Sequence, residues 1–411
     1  MALLRKINIT TWIIIGTIAG LLAGWAVGPA IGQIKFIGDI FLRLIQMSVV
    51  VLIMGSVIEA VGTLSPKDLG RVGIKVLALF AVFTIFSAGI GIVVSNIFEP
   101  GVGLTGIKMG TAVKPPDTKW ATIITNFFPT NIIDGMAKGE MIQAIVFSLL
   151  FGLATSYVGE PAKKVLDFIG CINKILTRLI TMVIYLAPIG IFALMAWVTG
   201  TIGIAVIIPL AKFLLTFLVG TVIVFTVVVG IAISVAKVNP ITFFRKASRM
   251  IIVAVTTTSS AVTFPVQIKD SEERMGMGSK TTRLVYPLGM TMNSDGLALF
   301  LSIAMLTIAQ FFGIHLDLAS QIKVVLLATL MCVGTVVVPG GGLVALAMAL
   351  PAVGLPLEGV ALLAGIDWFS GILRTLLNTI NDTAMALWIS ASEGDLDREI
   401  FNSKEDLPEI S

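Results

Sequence analysis

The stretch "GIDWFSGILRTLLNTINDT", residues 365–383, lies between two apolar runs, Ala361-Leu362-Leu363-Ala364 and Ala384-Met385-Ala386-Leu387-Trp388. Its neighbours suit the interior of a bilayer, yet it carries Asp367, Arg374, Asn378, Asn381 and Asp382. A charge at the centre of a membrane helix costs roughly 2.5–3.5 kcal/mol on insertion scales, so several in one segment require partners in the protein or water. At ~3.6 residues per turn, Asp367, Arg374, Asn378 and Asp382 fall within an arc of roughly 80°. Ile372, Leu373, Leu376 and Leu377 pad much of the rest. One helix face therefore carries the charges and looks into the protein or onto an aqueous cavity. Simple neutralisation of Arg374 by Asp367 or Asp382 does not require Asn378 and Asn381, which are ligand-type groups.

The rest of the chain supports a membrane setting. Of its 411 residues, 56% are hydrophobic and only 13% charged, where soluble domains carry about 25%. The mean hydropathy is +1.01. The net charge of +4 is modest. Lysines and arginines sit in short loops between apolar runs, which reads as orientation bias and not as nucleic-acid binding. Cys171 and Cys332 lie in apolar surroundings and match no CxxC or zinc spacing, and the single histidine, His315, ends an apolar run. No Ser–His–Asp or Cys–His set and no phosphate loop is present, so neither an enzyme, an ATP-driven pump nor an organic cofactor is expected. Arg5-Lys6 followed by the uncharged run 7–34 reads as a retained first helix, because the run is too long for a signal peptide.

A membrane helix needs ~20 apolar residues. Runs 11–32, 38–62, 76–98, 141–159, 179–211, 213–236 and 284–313 satisfy this, and 324–392 is too long for two simple spans. Residues 250–268 contain "TTTSSAVTFP" and residues 324–357 contain "VGTVVVPGGG". Small polar residues and prolines at that density leave backbone groups unpaired, which is tolerated only inside protein or along a cavity. Both segments are expected to be re-entrant hairpins. With an inside N-terminus, the inner loops hold Lys67, Arg71, Lys75, Lys163, Lys164, Lys174, Lys237, Arg245, Lys246, Arg249, Arg274, Lys280 and Arg283. Both termini are then cytoplasmic. Hairpin plus polar-marked helix recurs as 250–313 and 324–392 in opposite orientation, the inverted repeat of secondary transporters. The acidic tail "EGDLDREIFNSKEDLPEIS" is expected to be solvated and mobile.

Two further constellations carry chemistry. In "MTMNSDGLALF", residues 290–300, Asn293 and Asp295 stand about 200° apart on an ideal helix. Gly296 suggests a local unwinding that aims both at one site. Amide, carboxylate and carbonyl oxygens are hard donors that suit Na⁺. At the hairpin tips, Ser259, Ser260, Gly340, Gly341 and Gly342 expose backbone amides beside helix N-termini, which favour a carboxylate. Arg374 adds a bidentate grip on a second carboxylate. Together these describe a small dianion with a cation beside it.

At these residues the chain resembles the dicarboxylate/amino acid:cation symporter family, the glutamate transporter family, over nearly its whole length. The resemblance is carried by "FEPG" at 98–101, "FFPTN" at 127–131, "APIGIFAL" at 187–194, "TTTSSAVTFP" at 256–265, "NSDG" at 293–296, "VPGGG" at 338–342, "VGLPL" at 353–357 and "DWFSGILRTLLN" at 367–378. It implies an all-α membrane fold of eight transmembrane helices and two re-entrant hairpins, working as an elevator within a homotrimer in the plasma (inner) membrane. Scaffold helices would occupy 1–70 and 121–200, with a mobile transport domain at 71–98 and 203–392 and a cytoplasmic tail at 393–411. Arg374, Thr375, Asn378, Ser259, Ser260, Val338, Gly341 and Gly342 match substrate contacts. Asn293, Asp295, Asp382, Asn378, Gly289, Thr291, Cys332, Thr335 and Thr84 match the sodium ligands.

The departures bear on substrate and coupling. Where relatives that carry acidic amino acids place an aspartate for the substrate ammonium, this chain has Gly371. Leu297 and Ser294 replace a threonine and a methionine. Phe80 and Phe83 stand where a tyrosine and a hydroxyl are expected. A buried ammonium without a carboxylate loses several kcal/mol of hydration, so Gly371 favours a C4-dicarboxylate over aspartate or glutamate. Na⁺ is the expected coupling ion and a proton the alternative; an anion channel or a binding-only sensor are the readings of other classes.

Overall fold

A computed structural model of the chain describes residues 9–63, 71–103, 125, 127–333 and 341–403. Among these residues the regular structure is entirely helical. That follows from composition, since a helix satisfies its backbone groups within one segment when no water is available. Thr11–Leu44, Arg71–Phe98, Ile204–Ala236 and Ser279–Phe311 are long and apolar enough to cross a membrane. Two bent pairs raise the number to as many as six: Glu160–Ile184 with Ala187–Ile202 at 54°, and Glu358–Ala364 with Asp367–Glu393 at 79°.

The first half comprises α1 (Ile9–Val27), a 3₁₀ segment Gly28–Ile34, α2 (Lys35–Gly62), α3 (Arg71–Phe98), α4 (Ile132–Lys138), α5 (Met141–Val158), α6 (Lys163–Ile184), α7 (Ala187–Ile202) and α8 (Ile207–Ala236). α1 runs along α7, and α2 packs on α5, α6 and α7. The approach of α1 to α7 depends on small residues. A Cβ at Gly16, Gly20 or Gly24 would fall 2.4–2.5 Å from a carbonyl oxygen of Pro188, Phe192 or Ala196. That is small-xxx-small packing, in which backbones approach closely because lipid supplies no hydrophobic drive between helices. The expected span 179–211 is not one helix. It breaks after Ile184, ahead of Pro188 in the first turn of α7, and again at Gly203, whose φ of +88° only glycine adopts freely.

The second half is built around a polar centre. α9 (Pro240–Thr257) and α10 (Ser260–Glu273) form the first hairpin, longer than the expected 250–268. Its tip is Thr258, left-handed at φ 49°, and Ser259, which caps α10 by accepting from the Val262 amide at 3.4 Å. α11 (Ser279–Met292) and α12 (Asp295–Phe311) are one span interrupted at Asn293–Ser294. The interruption matches the expectation, but Gly296 is not part of it. Gly296 lies in the first turn of α12, where a Cβ would sit 2.5 Å from the Arg374 carbonyl oxygen, so it permits a close crossing. α13 (Leu318–Met331) and α14 (Gly341–Ala352) follow. Asp317 caps α13, and hydrogen bonds from Ser320 hold its carboxyl below the ordinary carboxylate range. The connection 334–340, with Thr335 and Val338, lies outside the described residues. α15 (Glu358–Ala364) then turns sharply into α16 (Asp367–Glu393), so the opening stretch of polar residues starts at a bend. α3 packs along α12, α8 along α16, and α9, α10 and α11 surround α16. Phe213 and Phe217 of α8 meet the fully buried Phe300 of α12 edge-on, each with centroids 5.9 Å apart.

The expected mobile tail is docked over its first part. A short helix, α17 (Arg398–Asn402), buries Phe401 completely. The Lys246 ammonium donates to the carbonyls of Arg274 at 2.6 Å and Ile400 at 2.5 Å. The Asp397 amide donates to the Gly276 carbonyl at 2.7 Å. The tail thus ties the base of the first hairpin to the end of α16. Large aromatic-to-alanine changes in cores cost about 3–5 kcal/mol. Phe401→Ala is therefore expected to free this segment, seen as faster limited proteolysis after Glu393 than in the unsubstituted protein.

Candidate functional site

The interruption between α11 and α12 sets the geometry of the site. Because Asn293 adopts extended backbone there, its side chain leaves the helix axis and reaches two other elements. Its Nδ2 donates to Asp382 Oδ1 of α16 at 2.7 Å, and its Oδ1 accepts from Thr84 of α3 at 3.1 Å. The Thr84 hydroxyl lies equally near Asp295 Oδ1, at 3.0 Å. The Asn381 amide donates to Asp295 Oδ2 at 2.7 Å. Three elements distant in sequence thus converge on two carboxylates, both buried. Such groups are tolerated only when paired or bound to cations.

Gly289 contributes by having no side chain. A Cβ there would lie 2.8 Å from the Asp382 carboxyl carbon, so glycine lets the carboxylate rest against the end of α11. Carbonyls at a helix C-terminus carry partial negative charge and, with a carboxylate, are hard oxygen donors of the kind small cations take. A cavity of about 20 Å³ adjoins Asp382, Asn293, Asn378 and Ser260, enough for one water or one small cation. Gly289→Ala is expected to push the Asp382 carboxylate aside, seen as a lowered thermal midpoint of the purified protein.

Asn378 is used twice. Its Oδ1 accepts from the Gly296 amide at 2.8 Å, a cap for α12 supplied by a different helix, while its side chain also borders the cavity. Cys332 reaches the same break, with its Sγ 3.2 Å from the Ser294 carbonyl oxygen. Thr291 does not point into the site: its hydroxyl bonds back to Pro287 at 3.0 Å within its own helix.

Arg374 forms the second centre. Its Nη1 donates to Asp367 Oδ1 at 2.8 Å, and its guanidinium carbon lies 4.4 Å from the centroid of Phe300. A Cβ at Gly342 would fall 2.1 Å from Nη1, so the start of α14 lies directly on the guanidinium. Thr375, next along α16, is buried. The charged face read from sequence therefore divides in two, with Asp367 and Arg374 at one end and Asn378 and Asp382 at the other.

Sequence reasoning missed three contributors. Gln267 donates to the Thr379 carbonyl at 2.9 Å and lines the cavity, as does the buried Tyr286, whose hydroxyl meets Ser271 at 2.5 Å. Phe300 completes the set. The one available signal was a polar residue at an otherwise apolar helix position, as with Gln267 in "TFPVQIKD".

Comparison with known proteins fits this geometry. The model of the sodium:dicarboxylate symporter family matches residues 9–392. The chain belongs to that family. It is therefore a membrane transport protein and not an enzyme. Among curated relatives, this symporter is 31% identical over 401 residues to the C4-dicarboxylate transport protein of Bacillus subtilis (strain 168), covering 95% of this chain and 94% of the other. It is 32% identical over 391 residues to the proton/glutamate-aspartate symporter of the same strain, covering 91% and 94%. It is 31% identical over 409 residues to the proton/sodium-glutamate symport protein of Geobacillus stearothermophilus, covering 96% and 97%.

Proposed function

We propose that the protein couples movement of Na⁺ to uptake of a small dicarboxylate, with a C4-dicarboxylate as the substrate class. The carrying observation is Gly371. Among the described residues, a Cβ there would meet only Arg374 Nη2, at 3.5 Å, and no other neighbour within 4 Å. The position thus faces the guanidinium with room to spare and no carboxylate. The nearest acid on the face, Asp367, is engaged by Arg374. An amino acid's ammonium would enter a site that offers it no counter-charge, whereas a dicarboxylate leaves nothing unpaired.

In this reading Arg374 takes one substrate carboxylate, exchanging or sharing its contact with Asp367. Ser260, Ser259 and the amides of Gly341 and Gly342, with Val338, take the other, and Thr375 and Asn378 border it. Asp382, Asn293, Asn378 and the Gly289 carbonyl hold the coupling cation. Asp295 and Thr84 form the second acidic group; by the resemblance, Thr291, Cys332 and Thr335 belong to a further cation position that uses mostly backbone oxygens, with Thr335 outside the described residues. The packing of α1, α2, α5, α6 and α7 mainly on one another, and of α3, α8–α12 and α16 mainly on one another, supports a division into scaffold and transport domain. Elevator motion, eight transmembrane helices with two hairpins, a homotrimer and a plasma-membrane location with both termini cytoplasmic complete the proposal.

Relatives named for glutamate match as well as those named for C4-dicarboxylates, which makes an acidic amino acid, with proton coupling, the second reading. A thermal-shift panel separates the two. Succinate, fumarate or malate is expected to stabilise the purified protein in a Na⁺-dependent manner, and aspartate is not. Stabilisation by aspartate alone contradicts the Gly371 argument. Gly371→Asp has space for its side chain and is expected to raise the aspartate-to-succinate affinity ratio at least ~10-fold, about 1.4 kcal/mol.

A further inference from the structure

The first hairpin brings a group to the cavity beside Asp382 that the resemblance does not place there. Gln267 of α10 is buried and lines that cavity. Its Nε2 donates to the Thr379 carbonyl at 2.9 Å and lies 3.4 Å from the Thr383 hydroxyl. That hydroxyl donates to the same carbonyl at 2.8 Å, so it meets the Gln267 amide as an acceptor. Both contacts call for N–H, and turning the amide over would set its oxygen against a carbonyl oxygen. Oε1 is therefore the free end of the side chain, and it accepts from no described residue.

Two further oxygens on the same wall lack partners. Thr379 is buried on α16, and its Oγ1 has no hydrogen bond. Asp382 gives Oδ1 to Asn293, while its Oδ2 accepts from no described residue. An unsatisfied buried polar group is unfavourable by about 1–3 kcal/mol. Three such oxygens on residues lining one small cavity are satisfied together by a cation. Carboxylate, amide and hydroxyl oxygens are hard donors, and a single charge among them suits a monovalent ion. The helix α10 also reaches the substrate end of the site. Ser260 and Gln267 stand two turns apart on it, separated by only about 20° around the axis, and both line the cavity.

We infer that Gln267, through Oε1, and Thr379, through Oγ1, are ligands of the coupling cation at Asp382, so that the bound cation holds α10 where it presents Ser260 to the dianion. The first hairpin thereby joins a site to which the resemblance gives ligands only from α11, the break after it and α16. The inference rests on the cation-coupled reading.

The experiment is equilibrium ²²Na⁺ binding to the purified full chain, followed by succinate calorimetry with and without saturating Na⁺. Thr379→Val keeps the shape of the side chain and breaks no hydrogen bond, so its thermal midpoint without Na⁺ is expected to hold while the Na⁺ Kd rises at least ~10-fold. Thr379→Ser, which keeps the hydroxyl, is expected to retain the Kd of the unsubstituted protein. Gln267→Met keeps the length but not the oxygen. It is expected to weaken Na⁺ to a similar degree and to shrink the factor by which Na⁺ tightens succinate. A merely structural Gln267 would lower the midpoint and leave the Na⁺ Kd alone. An unchanged Na⁺ Kd in either the valine or the methionine variant overturns the inference for that residue. Absence of ²²Na⁺ binding in the unsubstituted protein is a different result: it contradicts the sodium reading itself, and the inference falls with it.

Discussion

Arg374→Ala is expected to abolish detectable dianion binding. The guanidinium is the one described cation on the charged face of α16, and its grip on Asp367 holds it in place over Phe300. Truncating one partner of a buried, hydrogen-bonded charge pair costs about 2–5 kcal/mol, equivalent to roughly 30-fold to several-thousand-fold in Kd. Titration calorimetry with succinate reads this directly. The same change leaves Asp367 buried without its partner, which destabilises the fold by about 3–5 kcal/mol. A double variant, Arg374→Ala with Asp367→Asn, separates the two effects. It is expected to recover the thermal midpoint while binding stays lost. Recovery of binding along with stability would show that Arg374 serves only to neutralise Asp367.

Asp382→Asn is expected to uncouple substrate binding from the cation. Coupling free energies between two ligands are typically 1–3 kcal/mol, or about 5–150-fold in affinity. In the unsubstituted protein, saturating Na⁺ is therefore expected to tighten succinate binding by a factor in that range. The substitution preserves shape, and an amide oxygen at this position still accepts from Asn293 Nδ2, so the break between α11 and α12 keeps its partner. Only the charge is lost. Succinate affinity in the variant is expected to match the sodium-free value whether or not Na⁺ is present. A variant that keeps the full Na⁺ effect places the cation elsewhere. A proton gradient that drives uptake without Na⁺, and ceases to do so in this variant, favours the proton as coupling ion.

Much of this site is legible in the sequence, for a physical reason. Charges and amides in apolar helices are unfavourable enough that each marks a contact, so Asp295, Arg374, Asn378 and Asp382 stand out on their own. The hairpin tip at Thr258–Ser259 is legible because "TTTSS" cannot continue a lipid-facing helix. What stays hidden lies in pairings between residues far apart in sequence. Nothing in "TFPVQIKD" says that Gln267 meets the backbone of Thr379, and nothing in "LLNTINDT" says that Asn381 meets Asp295 and not a substrate. The tail misleads for the same reason, since its acidic composition hides one phenylalanine and the buried Lys246 that receives it. Gly296 looks like the cause of the helix break and is instead the point where two helices cross, a distinction that only the neighbour's position reveals.

The central claim, that one site holds a dianion and a cation and moves them together, is tested most directly by uptake of labelled succinate into proteoliposomes of the purified protein. With an inward Na⁺ gradient, succinate is expected to accumulate above its equilibrium level and to fall back when the gradient is removed. Equilibration to the same level with or without the gradient would contradict symport.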